Sequence, residues 1–421
     1  MKRRVVVTGM GIWSCIGQDL QTVTESLRQG RSGIIFDPQR IEYGLQSGLV
    51  GKIPRPNLKQ LLLRKFRATM SEDAEYAYMA ARQAFEQACI DDEYLKANEV
   101  GCVFGGDGLM RPIDEGLQIM RTENDALMLG PNAYFRGQTS SAAINLGTIF
   151  HLRGGLINVG AACASSSHAI GIATTFLRHG MQDICLVGGA SEVSAQMAIG
   201  VDALYALSVQ NSNPQLASRP FDKERDGFVI SGGAAALVLE DYEHAKARGA
   251  NILAEICGYG FSSNGTDNIS APSADAEYIA MKRALDDAGI KPEQIDYVNA
   301  HSTSNIAGDI AEAQALTKLF NSNDSKTSTV SKSSNSPWIS STKSMTGHEN
   351  WMAGASEAVY SIIMMQNNFV APNINLENVI DEAKNLNIAR QTIYTPINTV
   401  LSNSSGMGGT NSALVFRKIS E

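Results

Sequence analysis

The chain lacks paired-cysteine motifs: its six cysteines, Cys15, Cys89, Cys102, Cys163, Cys185 and Cys257, are scattered with no CxxC spacing. That argues against a zinc knuckle and against a disulfide framework, and it fits reduced thiols in a cytoplasmic protein. No stretch approaches the roughly 20 apolar residues that a membrane span needs. The apolar run Val5-Val6-Val7 follows Met1-Lys2-Arg3-Arg4 but is cut short by Thr8-Gly9, too soon for a secretory leader, and reads as a first strand. Basic charge is also scarce. Lys and Arg number 35 against 43 Asp and Glu, a net charge of −8, which argues against a general nucleic-acid binder and leaves room only for a local basic patch. A third glycine is missing after Gly9-Met10-Gly11, so the dinucleotide fingerprint is incomplete. The stretch reads instead as a tight turn ending a strand from Arg4 to Thr8.

What is present suits a large core. The 421 residues are 43% hydrophobic and 19% charged, which allows two domains or one duplicated unit. The central stretch is Asn158-Val159-Gly160-Ala161-Ala162-Cys163-Ala164-Ser165-Ser166-Ser167-His168. Residues 155–159 before it read as a short buried strand. The small and apolar residues after it read as a helix ending at Arg178 and His179, with Gly180 as its stop. Cys163 thus stands at a strand-to-helix junction. Unpaired amides at the positive end of the helix favour a thiolate there and can donate to an oxyanion.

The chain repeats this arrangement. Strands are predicted near 101–104, 183–187, 252–258, 295–300, 338–342, 399–403 and 414–418, and the run 225–239 joins a glycine-rich loop to a long buried strand. Ser71 looks like the N-cap of a helix to about Cys89, with Glu72, Asp73 and Glu75 in its first turn. Asp309 looks like the cap of a helix to Phe320, with Glu312 completing a capping box. Asn321 to Ser336 is Asn, Ser, Thr, Asp or Lys except for Val330, and is predicted as an exposed loop. His348 precedes a helix at 350–367 much as Cys163 precedes its own. This parallel suggests two similar halves, 1–250 with Cys163 and 251–421 with His301, Lys343 and His348.

Three stretches carry chemistry: the cysteine turn, Asn299-Ala300-His301-Ser302-Thr303, and Ser341-Thr342-Lys343-Ser344-Met345-Thr346-Gly347-His348. Two histidines, a lysine and a cysteine, each on a loop after a buried strand, are hard to explain as packing. With Val5-Val6-Val7-Thr8-Gly9-Met10-Gly11 at one end and Gly406-Met407-Gly408-Gly409-Thr410-Asn411 at the other, the chain resembles, nearly end to end, the elongating β-ketoacyl-acyl carrier protein synthases of types I and II, in the thiolase superfamily.

The resemblance implies an α/β, thiolase-like, five-layered α-β-α-β-α fold of two similar halves, and a homodimer. It implies decarboxylating condensation of an acyl group on Cys163 with malonyl-acyl carrier protein, extending the chain by two carbons. By the same resemblance His301 and His348 stabilise the enolate, and Lys343, paired with Glu357, balances their environment. The N–H groups of Cys163 and Met407 form the oxyanion hole. Thr303, Asn305 and Phe228 line the path of the pantetheine arm and substrate, and Asp107 stands near the acyl pocket. The partner is acyl carrier protein, which brings its own phosphopantetheine. Arg64, Lys65 and Arg67 match where relatives dock that acidic protein, although without the resemblance they read equally as a solvated face. No metal or cofactor is required. A structural monovalent cation, held by some relatives near this region, stays open.

The chain also departs from the family pattern. Asn305 replaces a threonine, Ser405 and Met407 replace aromatics of the glycine loop, and Glu349-Asn350-Trp351-Met352 stands where small and apolar residues are common. Fatty-acid elongation and a specialised polyketide or aryl-polyene pathway both remain open at this point. A Cys–His hydrolase and a non-catalytic heterodimer partner are the more distant alternatives.

Overall fold

The computed structural model describes residues 2–320 and 336–419. The predicted loop at 321–336 lies, but for the exposed Ser336, outside them. Ten strands form one sheet: β1 (Val5–Trp13), β2 (Gly101–Gly105), β3 (Leu156–Val159), β4 (Ile184–Ser191), β5 (Gly233–Asp241), β6 (Ala254–Ser263), β7 (Tyr297–Asn299), β8 (Trp338–Ser340), β9 (Thr399–Gly406) and β10 (Thr410–Arg417).

Two copies of one pattern meet at a seam. Outward from β1 the order is β5, β4, β2, β3; outward from β6 it is β10, β9, β7, β8. Each copy makes two antiparallel pairings and then two parallel ones. The seam itself is short, pairing Val6 with Glu255 and Val7 with Ala254.

Six helices fill the layers. These are α1 (Glu72–Gln87), α2 (Ser141–Ile149), α3 (Ser165–Arg178), α4 (Ala274–Ala288), α5 (Ile306–Phe320) and α6 (Ala353–Asn367). Helices α3 and α6 lie in the middle, where Ala169, Ile170 and Ala173 share a core with Ala358, Val359 and Ile362 and with strand residues Val5, Val7, Leu414 and Phe416. Helices α1 and α2 cover one outer face, with Ala80, Ala84 and Leu146 against Phe104, Leu186 and Val238. Helices α4 and α5 cover the other, with Ala284 and Leu316 against Val298, Leu401 and Val415. The architecture is a five-layered α-β-α-β-α fold.

The structure corrects several local readings. Gly9 and Gly11 form no turn, and β1 runs straight through them. They are glycines because α1 lies on them so closely that a Cβ would overlap the carbonyls of Ala84 and Ala80. Gly258 and Gly260 of β6 receive Ala284 and Ala280 of α4 in the same way. Strand β3 is an edge strand and is not buried, with Leu156 45% exposed. Ser71 precedes α1, but its hydroxyl bonds the side chains of Asp73 and Ser141 and no backbone amide of the helix. Helix α5 begins three residues before Asp309 and is capped by Asn305, whose Oδ1 accepts from the N–H groups of Ala307 and Gly308.

Candidate active site

The nucleophile candidate is held by a strained turn. After β3, Ala162 adopts φ 47°, a left-handed conformation that non-glycine residues rarely take and that costs about 1–3 kcal/mol. Its N–H donates to Asp107 Oδ2 at 2.7 Å. Ser165 Oγ accepts from Ala161 N–H at 2.8 Å and donates to the Ala162 carbonyl at 2.6 Å, closing the turn. Cys163 follows in a single 3-10 turn (Ala162–Ala164) that leads directly into α3. It is buried, and it lines a cavity that opens to solvent. Burial pushes its thiol up to about 11 against the pull of the Met407 N–H, the Lys343 ammonium and its own N–H, while Asp107 pushes it further up. The thiolate expected from the helix terminus alone is therefore overridden by desolvation: the resting group is a thiol.

Met407 sits in the turn of the β9–β10 hairpin. Gly408 and Gly409 after it adopt φ 91° and 87°, which only glycine takes without strain. Its N–H points at the Cys163 sulfur while its side chain is 47% exposed.

His301 follows β7, and α5 fixes its loop. Glu312 Oε1 accepts from His301 N–H at 2.8 Å and from Asn403 Nδ2 at 2.8 Å. Its Oε2 accepts from Ser302 N–H and Ser302 Oγ, both at 2.6 Å. Glu312 was read from sequence as part of a capping box; it is instead a buried clamp on the histidine loop.

Lys343 follows β8 and is ion-paired with Glu357 of α6, each side chain 1% exposed. Its Nζ also lies 3.4 Å from His301 Nδ1. An ammonium only donates, so Nδ1 accepts and the ring proton stays on Nε2. His348 N–H donates to the Val229 carbonyl at 2.7 Å. Its ring packs edge-on against Phe228 and His301, each with centroids 5.4 Å apart. Both of its ring nitrogens are buried without a hydrogen-bond partner. Burial first, and then the Lys343 charge, hold both histidines well below the ordinary imidazole range, so both are neutral at neutral pH.

The cavity brings together Cys163, His301, His348, Thr303, Asn305, Phe228 and Met407, as the sequence predicts. Lys343 and Glu357 lie behind it. Asp107 does not line it: it is exposed, and its carboxylate accepts from the Ala162 N–H. Arg64 and Lys65 are exposed on a short helix (Arg64–Arg67), while Arg67 is half-buried with its Nε donating to the Leu62 carbonyl; none of the three lines the cavity. Among the described residues no cluster of His, Cys, Asp and Glu has the geometry of a metal site, and all six cysteines are unpaired. No helix among them is long and apolar enough to cross a membrane. Sequence reasoning missed Glu312, the strained Ala162 and the place of Trp351 in the cavity wall. A carboxylate on the helix directly after the histidine loop was the available signal for the first, and the departure at Glu349-Asn350-Trp351-Met352 for Trp351; nothing local marks Ala162.

Residues 2–245 match the family model described as beta-ketoacyl synthase, N-terminal domain, and residues 253–377 the corresponding C-terminal domain. The chain is 40% identical over 422 residues to 3-oxoacyl-[acyl-carrier-protein] synthase 1 of Escherichia coli (strain K12), covering 100% of both. The crystal structure of a beta-ketoacyl synthase from Burkholderia phymatum STM815 superposes with a TM-score of 0.92 at 35% identity, covering 100% of each chain. The AntDE:AntF complex, a type II PKS acyl-carrier protein with its ketosynthase bound to the hexaketide, matches with a TM-score of 0.86 at 30% identity, again over 100% of both chains.

Proposed function

Because the chain belongs to the beta-ketoacyl synthase family and catalyses the condensing step of fatty-acid elongation, making a 3-oxoacyl-acyl carrier protein, we propose that its residues divide the work as follows. Cys163 attacks the thioester carbonyl of the acyl carrier protein. The new S–C bond forms, the bond to the pantetheine sulfur breaks, and the thiol proton leaves on that sulfur. The N–H groups of Cys163 and Met407 meet the passing oxyanion. Malonyl-carrier protein then enters. Its bond to the carboxylate breaks, CO2 departs, and the electron pair becomes an enolate.

The enolate oxygen is met by Nε2–H of His301 and by the ring of His348. Neutral imidazoles suit this, because they donate hydrogen bonds without trapping the carbanion by full protonation. The carbanion attacks the acyl carbon, a C–C bond forms, and Cys163 leaves as the thiolate and regains a proton. Lys343 fixes the His301 tautomer, and Glu357 keeps the lysine's charge compensated in the interior. The observation that carries this reading is the convergence of one cysteine and two neutral histidines, from loops of both halves, on one cavity. The polyketide alternative is not favoured, since the full-length relative just described is a 3-oxoacyl-[acyl-carrier-protein] synthase by name.

Cys163→Gln tests the division of labour. Acyl loading, read by intact-protein mass, is abolished, while CO2 release from malonyl-carrier protein persists or rises. Loss of both activities in a folded variant contradicts it.

The finer assignments belong to the same proposal. Exposed Arg64 and Lys65, with Arg67 beside them, receive the acidic carrier protein by charge complementarity, and Thr303 and Asn305 receive its arm. The open edge of β3, and the exposed Ile113, Leu117 and Met120 on the helix Arg111–Glu123, support a homodimer. Six scattered cysteines, none in a disulfide, support a cytoplasmic setting. The reaction needs no resident cofactor. Buried acceptors without hydrogen-bond partners, Asn299 Oδ1, Glu357 Oε2 and Asn403 Oδ1, fit a structural monovalent cation, which would offset the carboxylate beside Lys343.

A further inference from the structure

The cavity has an outer and an inner end. Ile269, 80% exposed, marks the mouth. Buried Phe228 and Asn350, with half-buried Val201, line the cavity together with Cys163. Half-buried Trp351, the residue after Asn350, lines the same cavity. Its indole Nε1–H donates to the Gly108 carbonyl at 3.2 Å, which fixes the plane of the ring. A Cβ built on Gly108 would lie 3.5 Å from Trp351 Cζ2 and 3.8 Å from Met197 Cε, ordinary contact distances, so the indole and the methionine both stand beside Gly108. Met197 and Val201 are one turn apart on a single helix (Ala195–Ala203), and Val201 packs with Phe228. Asn350, held at φ 48° with its amide donating to the Ser231 carbonyl at 3.2 Å, anchors the chain immediately before the indole.

An indole held by its own hydrogen bond to Gly108 and flanked by Met197 does not swing aside freely. We propose that Trp351 closes the inner end of the acyl-binding part of the cavity and sets an upper limit on acyl length, so that the enzyme takes short acyl chains and rejects long ones. The proposal rests on the condensing reading above and names its substrate class. No small side chain at this position could set the same limit. The ring's bulk does the excluding, and its bond to Gly108 keeps that bulk in place.

The test is a ladder of saturated acyl-carrier thioesters of increasing length, scored by Cys163 loading and by kcat/KM. The wild type loads the short members and fails beyond a sharp limit. Trp351→Ala moves that limit to longer chains, raising kcat/KM for the first excluded member by about tenfold or more, the usual worth of one methylene in a shaped pocket. Trp351→Phe keeps most of the bulk without the anchoring N–H, and it blurs the limit without abolishing it. Melting curves certify that each variant is folded. A wild type that loads long and short chains alike overturns the proposal, as does a folded Trp351→Ala with an unmoved limit. Failure of the underlying reading looks different: no acyl mass on Cys163 with any chain, which sinks the condensing assignment and this proposal together.

Discussion

At the scale of single residues, the most consequential departure is Asp107. From sequence it belonged near the acyl pocket, where a carboxylate would disfavour an alkyl chain. In the fold it supports the strained Ala162 by accepting its N–H, and its charge raises the neighbouring thiol. The two roles separate in Asp107→Asn. The amide oxygen still accepts from Ala162, but the negative charge is gone. A thiolate no longer repelled forms more readily, so the apparent pKa of Cys163 falls. The check is the pH dependence of its alkylation by iodoacetamide, whose midpoint moves to lower pH; an unmoved or raised midpoint contradicts the electrostatic account. The lone cysteine was legible because a small-residue helix follows it. The strain at Ala162 was not, since backbone dihedrals leave no mark on an alanine in a sequence.

At the scale of elements, α5 does more than cover the sheet. Through Glu312 it gathers two backbone amides and two side chains around the His301 loop. Glu312→Gln replaces one acceptor oxygen with a donor and leaves at least one of those groups opposing an N–H in the interior, a loss of about 1–3 kcal/mol. The histidine loop shifts as a consequence. Misplacement by about an ångström costs on the order of a hundredfold in a positioned reaction. Condensation therefore falls far more than acyl loading, which needs no His301. Single-turnover loading and steady-state condensation, measured side by side, read this split; an equal loss in both removes Glu312 from the positioning role. The element that was misjudged from sequence, the supposed turn at Gly9-Met10-Gly11, has a related explanation. Glycine marks both turns and close helix contacts, and only the position of α1 distinguishes them.

At the scale of the whole molecule, the buried acids give stability a pH dependence. Burial pushes Glu349 up to about 8, although Ser356 Oγ and Tyr360 OH donate to it at 2.5 and 2.9 Å. Its folded pKa thus lies above its unfolded one, so the folded state holds a proton that the unfolded state releases. Stability from this group is fully present below about pH 4.5 and is lost as pH rises toward 8. His301 and His348 act oppositely, since burial holds them neutral, but their contribution is complete above the ordinary imidazole value of about 6.5. Between pH 6.5 and 8 the carboxyl therefore prevails, and the melting temperature declines. Glu349→Gln, which mimics the protonated acid, flattens that decline; an equally steep decline in the variant assigns the effect elsewhere. The duplicated strand order belongs to this scale too. It was hinted at by the matching placement of Cys163 and His348, but the strand order itself appears only once the pairings are known.

The amino-acid order by itself determined the reactive residues, the run of strand and helix signals, and the family likeness, because each is written in short contiguous motifs. Tertiary structure alone decided that Glu312 clamps a histidine, that Asp107 accepts from the Ala162 N–H, that burial pushes the Cys163 thiol up, and that Trp351 lines the cavity. Those facts depend on which groups from distant parts of the chain share a low-dielectric interior, and that is settled by packing.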